Sequence, residues 1–258
     1  MLMSAGGPGA GGTWTAPHRH VLDLMPNALW RTATCMRLGL VQREAGGVCQ
    51  LPVTKGADHG GDICGRPCAE DVWHPIHCQH GAAKQRPHRL LQKALSRRLG
   101  ACGAHVDEER HIPELYDTVW DCKKKKHMPR LAIMDIHISF PGAPSPFLVD
   151  VSVRSAAADR QARTATPGWA AVQGEKEKLS RYGCAVRPCC FEALGRAGPA
   201  ARKLIADLVA TAASCGLSSP HAAQSWQTMC ERAVIWGTAD NMLRSMGGQS
   251  PERWSRMF

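Results

Sequence analysis

Four metal-ligating side chains, Cys64, Cys68, His74 and Cys78, fall within fifteen consecutive residues of this 258-residue chain. Thiolates and imidazole are the ligands of tetrahedral zinc, and short-range pairs of them on a turn and a helix suit a structural site. Gly65 and Pro67, between the first two thiols, favour a tight turn. His77 and His80 are alternative nitrogen ligands, and Cys49 is a more distant sulfur. The chain carries twelve cysteines. Its first twelve residues have neither a charged n-region nor an apolar h-region, so secretion is not expected. Reduced thiols and metal ligation therefore fit better than a disulfide framework.

A second chemistry lies in two aspartates. Residues 131–138 and 147–153 read as strands, and the linker SFPGAPSP, with three prolines and a glycine, can only be a turn or loop. A hairpin centred on that loop pairs residues whose numbers add to 285, which sets Asp135 opposite Asp150. Like charges facing each other across strands destabilise a sheet, and a carboxylate in apolar β-branched sequence is costly without a partner. A magnesium ion would compensate, since it is typically held by one or two carboxylates plus water and substrate phosphate. Such a site suits metal-assisted hydrolysis of a phosphodiester. The plainer alternative is an aspartate that ends its strand with a backbone or arginine contact. On the following helix, 168–182, Lys178 and Lys176 can reach a metal-bound water or a phosphate oxygen, or they belong to a solvated charged face.

The elements that position these residues follow from periodicity. Leu90, Leu91, Ala94, Leu95 and Leu99 make an apolar stripe on a helix over 85–99, opened by Pro87 and stopped by Gly100. Residues 105–112 give a weaker strand and 184–193 a short apolar one, before an Ala-rich helix over 198–214 and a last helix over 221–246. Leu22, Leu24, Met25, Leu29, Trp30, Met36 and Leu38 suggest one or two short helices ahead of the cysteines. The α/β order is helix, three strands, helix, strand, behind a small zinc module and with helices after it. This divides the chain into an expected disordered tail (1–12), a helical segment with the cysteine and histidine cluster (13–83), an α/β domain (84–215) and a C-terminal helical extension (216–258).

A net charge of +10 points to a polyanion, duplex DNA first and RNA second. Residues 84–130 hold twelve Lys/Arg against six Asp/Glu, and Lys123, Lys124, Lys125 and Lys126 are consecutive. No run of about eighteen apolar residues occurs, so no membrane span is expected.

In their order, these stretches resemble the C-terminal part of site-specific LINE-type retrotransposon proteins. The resemblance rests on Cys64, Cys68, His74 and Cys78, then Pro87-His88-Arg89-Leu90 opening a helix, then the segments around Asp135, Asp150, Lys176 to Tyr182 and Pro188, over roughly residues 30–215. Those proteins carry a zinc-knuckle-like CCHC segment, an Arg-His motif and a restriction-like endonuclease. The resemblance implies a PD-(D/E)xK fold in which Asp135 and Asp150 match the catalytic acids and Lys178, or Lys176, the lysine. It also implies nucleic-acid contacts by His88 and Arg89, beside those expected of the lysine run, and a DNA partner in turn suggests a nuclear site of action. Ser152 stands where the strand lysine of the family is usual, and the Arg-His pair is reversed. The implied function is a Mg²⁺-dependent DNA endonuclease with a structural Zn²⁺; the alternative is a zinc-stabilised nucleic-acid-binding protein that has lost the chemistry.

Overall fold

The computed structural model describes residues 27–38, 47–53, 62–68, 70–71, 73–80, 82–121, 124–156 and 166–247. The 1–12 tail, Leu22, Leu24, Met25 and Lys123 lie outside the described residues.

Helix α1 (Asn27–Leu38) and the short α2 (His74–His77) precede α3 (Gln85–Ala101), whose stripe Leu91, Leu95 and Leu99 is fully buried. Strand β1 (His105–His111) follows, then a hairpin of β2 (Asp117–Asp121) and β3 (Lys126–Arg130), then β4 (Ile133–Ser139) and β5 (Phe147–Arg154). Helix α4 (Trp169–Tyr182), strand β6 (Arg187–Glu192), α5 (Pro199–Ser214) and α6 (Ala223–Ser245) complete the order. The protein is thus mixed α/β.

The main sheet has four strands in the order β1-β4-β5-β6. β1, β4 and β5 pair antiparallel, and β6 lies parallel to β5, with α4 as the crossover that a parallel pair requires. The hairpin register is the expected one: Ile136 faces Val149, His137 faces Leu148 and Ile138 faces Phe147. Pro188 is tolerated in β6 because that strand is a sheet edge and needs no second ladder of donors. The other edge, β1, is blunted by exposed His105, Glu108, Glu109 and Arg110.

Alternation along β5 decides where chemistry can sit. Val149 and Val151 enter the large core with Leu91, Leu95, Leu204, Ile205, Leu208 and Trp226, from α3, α5 and α6. Asp150, Ser152 and Arg154 occupy the opposite face, where Lys178 of α4 meets Asp150 and Glu177 meets Arg154. Glu175, on a buried turn of α4, caps α5 by accepting from the Ala200 and Ala201 N–H groups at 2.9 and 3.1 Å.

Two expectations are corrected. The hairpin β2–β3, inserted between β1 and β4, was not foreseen, and it carries Lys124, Lys125 and Lys126 at its turn. Helix α6 is no peripheral extension. Trp226, Cys230 and Val234 belong to the main core, while Ile235, Trp236, Ala239 and Met242 pack with Leu29, Ala33 and Met36 of α1. Among the described residues no helix is long and apolar enough to cross a membrane.

Candidate functional site

Residues 48–52 pair antiparallel with 63–67 through bridges Val48↔Pro67 and Pro52↔Ile63. The Cys49 N–H donates to Arg66 O at 2.9 Å, and Cys64 N–H donates to Leu51 O at 2.8 Å. This ribbon brings Cys49 beside Cys64, and α2 presents His74 with Cys78 at its C-terminal cap. The ligand atoms of Cys49, Cys64, His74 and Cys78 all lie within 4.8 Å of one another, and Cys64 Sγ stands 3.2 Å from His74 Nε2. Such a Cys₃His cluster can hold a metal ion such as zinc.

The set differs from the expected one at a single position. Cys49 takes the place of Cys68, whose backbone N–H is engaged with Gly47 O and whose sulfur stays outside the group. His77 is turned to Asp71, with Nε2 3.0 Å from Oδ2, and His80 contributes its backbone N–H to Cys78 Sγ. Burial pushes the Cys49 thiol up to about 12 and raises Cys78, while it lowers His74. Without a cation, then, the Cys49 and Cys78 thiols stay neutral, and among the described residues they pack with Leu51 and Ala83 in a small core. That is too little apolar surface to order such a loop-rich segment. A cation would deprotonate the sulfurs and supply the missing folding energy, so the donor set fits zinc.

The second site lies where β4 and β5 part. Beyond the Ile136–Val149 pair the ladder is continued by a side chain: Asp135 Oδ2 accepts from the Val151 N–H at 2.6 Å. His88 Nε2 of α3 stands 3.2 Å from the same oxygen, and Gln92, one turn on, donates to the Asp135 carbonyl at 2.8 Å. Asp150 is within hydrogen-bonding reach of Asp135 and carries a direct ion pair to Lys178 Nζ. All three side chains are mostly buried.

The two acids are unlike. Burial raises Asp150 to about 6, and the Asp135 charge adds to this against the pull of Lys178. Burial also opposes ionisation of Asp135, but His88, the Val151 N–H and Asp150 outweigh it and hold this carboxyl below its ordinary value. One proton is thus held between the pair, on Asp150, at mildly acid pH.

Of the other expected residues, Lys176 is exposed and Lys178 is the lysine that reaches the acids. Arg89 is exposed on α3; Lys124, Lys125 and Lys126 are exposed at the β2–β3 turn. His88, expected on nucleic acid, touches Asp135 and also lines a cleft. Gln92 was missed, although a buried polar residue one turn after His88 in an apolar stripe was a readable signal. Ser152 accepts from Arg154 Nε at 2.9 Å, and the Arg154 guanidinium also pairs with Glu177. Gly174 lets Arg154 cross α4 closely: a Cβ there would stand 3.3 Å from the Arg154 Cγ and Nε atoms.

A cleft of about 510 Å³ adjoins the acids. Its lining includes His88, Val151, Ser152, Arg154, Trp169 and Gln173, with His77, Lys84 and Gln85. No family model, curated protein or solved structure matches this chain.

Proposed function

We propose that the chain is a metal-dependent DNA endonuclease of the PD-(D/E)xK type, descended from a LINE-type retrotransposon protein and acting in the nucleus. The observation that carries this reading is the meeting of Asp135, Asp150 and Lys178 from three different elements at one partly buried point. The order of helix, three antiparallel strands, helix and parallel strand supports it, because that is the core the resemblance implies.

Two oxygen donors of unlike basicity suit a hard divalent ion such as Mg²⁺, with its remaining positions left to water and phosphate. Bound there, the ion supplies an activated water and charge neutralisation at the scissile phosphate. Asp135 and Asp150 would hold the ion, and Lys178, which now pairs with Asp150, would be the residue to orient the attacking water or to hold a phosphate oxygen. Cys49, Cys64, His74 and Cys78 hold a structural Zn²⁺, and the exposed Lys124, Lys125 and Lys126 contact the DNA backbone.

The Lys178–Asp150 ion pair, together with Ser152 at the usual lysine position, favours a second reading, a nucleic-acid binder without chemistry. Incubation of supercoiled plasmid with Mg²⁺ or Mn²⁺, against EDTA, separates the two. Nicking that Asp135→Asn abolishes and Lys178→Ala slows by about 10²-fold or more supports the enzyme. Binding without nicking in either metal leaves the binder.

A further inference from the structure

We infer that the cleft beside Asp135 is a subsite for one unstacked nucleotide of the strand being cut, an inference that rests on the nuclease reading above. The cleft and the acid pair are one continuous site. His88 touches Asp135 with Nε2 and also lines the cleft, and Val151, whose N–H is bonded to Asp135, forms part of its floor. Whatever fills the cleft is therefore the immediate neighbour of a phosphate held at the acids.

Its size and lining select the occupant. A volume of about 510 Å³ lies within the range of small-ligand pockets, about 300–1,000 Å³. A duplex is too wide to enter, so a polynucleotide can use the cleft only with a nucleotide taken out of its stack. Trp169, at the first turn of α4, gives an indole against which any base can stack. Gln85 and Gln173, both in the lining, offer amide donors and acceptors to a base edge. Arg154 and Lys84 supply cations for the flanking phosphates.

Arg154 is held ready. Ser152 fixes its Nε and the bare backbone at Gly174 fixes its stem, so its guanidinium stays at the cleft wall. Its partner Glu177 is mostly exposed, and an exposed ion pair is easily opened by a phosphate, which a planar guanidinium grips through two parallel hydrogen bonds. The substrate class that follows is DNA with an unpaired or readily extruded nucleotide at the cut, such as a bulge, mismatch or junction, in preference to perfect duplex.

The test uses the zinc-loaded full chain without added Mg²⁺ and four duplexes of one sequence: fully paired, with a single bulged 2-aminopurine deoxynucleotide, with the same bulge as a ribonucleotide, and with an abasic bulge. The bulged base should bind about ten-fold or more tighter than the paired duplex, with quenching of its fluorescence. Trp169→Leu should bring it down to the level of the paired duplex, Trp169→Phe should keep most of the preference, and Arg154→Gln should weaken the bulged complex. Equal affinity for bulged and paired DNA, an abasic bulge bound as tightly as the base, or a preference that survives Trp169→Leu would each overturn the subsite. A ribonucleotide bulge bound tighter than the deoxynucleotide would overturn the choice of DNA. Nicking is read separately in Mg²⁺. Loss of nicking with an intact bulge preference defeats the nuclease reading alone, and nicking without a bulge preference defeats the subsite alone.

Discussion

Asparagine at Asp150 and asparagine at Asp135 are expected to move stability in opposite directions at pH 8, in a metal-free buffer. Asp150 is raised from 3.8 to about 6, chiefly by burial. Its folded-state value lies above the unfolded one, so its favourable contribution is complete below 3.8 and is lost as the pH climbs through about 6. At about 1.4 kcal/mol per pH unit, the ionised side chain costs the fold at most about 3 kcal/mol at pH 8. Asp150→Asn removes that cost, less whatever Lys178 loses with its anionic partner. For a chain of this size the melting temperature should rise by up to about 10 °C at pH 8 and match wild type near pH 4. Asp135 has the opposite sign. His88 and the Val151 N–H hold it below its ordinary value, so its contribution is present above 3.8 and lost as the pH falls beneath that. Asp135→Asn gives up a charge-assisted hydrogen bond, about 1.5–3 kcal/mol, and should melt a few degrees lower at pH 8. Relief of the mutual repulsion is common to both variants and cancels when they are compared directly. Thermal unfolding followed by circular dichroism at pH 4, 6 and 8, without added divalent ions or chelator, reads the difference. If Asp135→Asn proves as stable as Asp150→Asn at pH 8, the division of charge between the two acids is wrong.

Zinc content should fall from about one per chain to near zero in Cys49→Ser and stay near one in Cys68→Ser, measured by plasma mass spectrometry after gel filtration; the reverse result would restore Cys68 as the ligand. Alanine at Lys124, Lys125 and Lys126 should flatten the dependence of log affinity for duplex DNA on log salt by up to about 3, at about 0.9 per phosphate contact; an unchanged slope would mean that the β2–β3 turn does not touch DNA. Gly237→Ala should destabilise by about 1–3 kcal/mol or more in urea, because the new Cβ would lie 2.5 Å from the Pro87 Cα and force α3 and α6 apart. A stability within a few tenths of wild type would show that the helices can part without cost.

Local rules carried part of this architecture into the sequence. The loop over 139–146, stiffened by Pro141, Pro144 and Pro146, left one centred register, and Ile136, His137 and Ile138 take the partners that it dictates. Leu91, Leu95 and Leu99 announced α3 because its other faces are polar. Helix α6 announced nothing comparable. It is buried on several sides, so Glu231, Thr238, Asp240 and Asn241 are enclosed along with Trp226 and Val234, and no single apolar stripe remains to be read. The hairpin β2–β3 was hidden for a different reason: its second strand, KHMPR, lacks apolar alternation and is held by register rather than by a core face. Cys49 stands fifteen residues before Cys64, and only the pairing of 48–52 with 63–67 turns that separation into proximity. Sequence register alone makes the two aspartates equivalent. The distinction between them comes from α3, through His88, and from the Val151 N–H, and is a property of packing.

The placement of the lysine has a consequence for the rest of the site. On β5, residue 152 points to the same face as Asp150, so a lysine there would meet the acids from the strand itself. Here Lys178 reaches Asp150 from α4, one helix away. Ser152 is thereby released from charge-bearing duty, and its small hydroxyl accepts from Arg154. A long cation at 152 would crowd the space that Arg154 now crosses on its way over Gly174. A small side chain at 152 therefore goes with the presence of a guanidinium at the cleft wall. On this geometry Ser152→Lys should not simply add a second lysine at the acids. It should displace Arg154 and set the strand lysine against Lys178 for the same carboxylate.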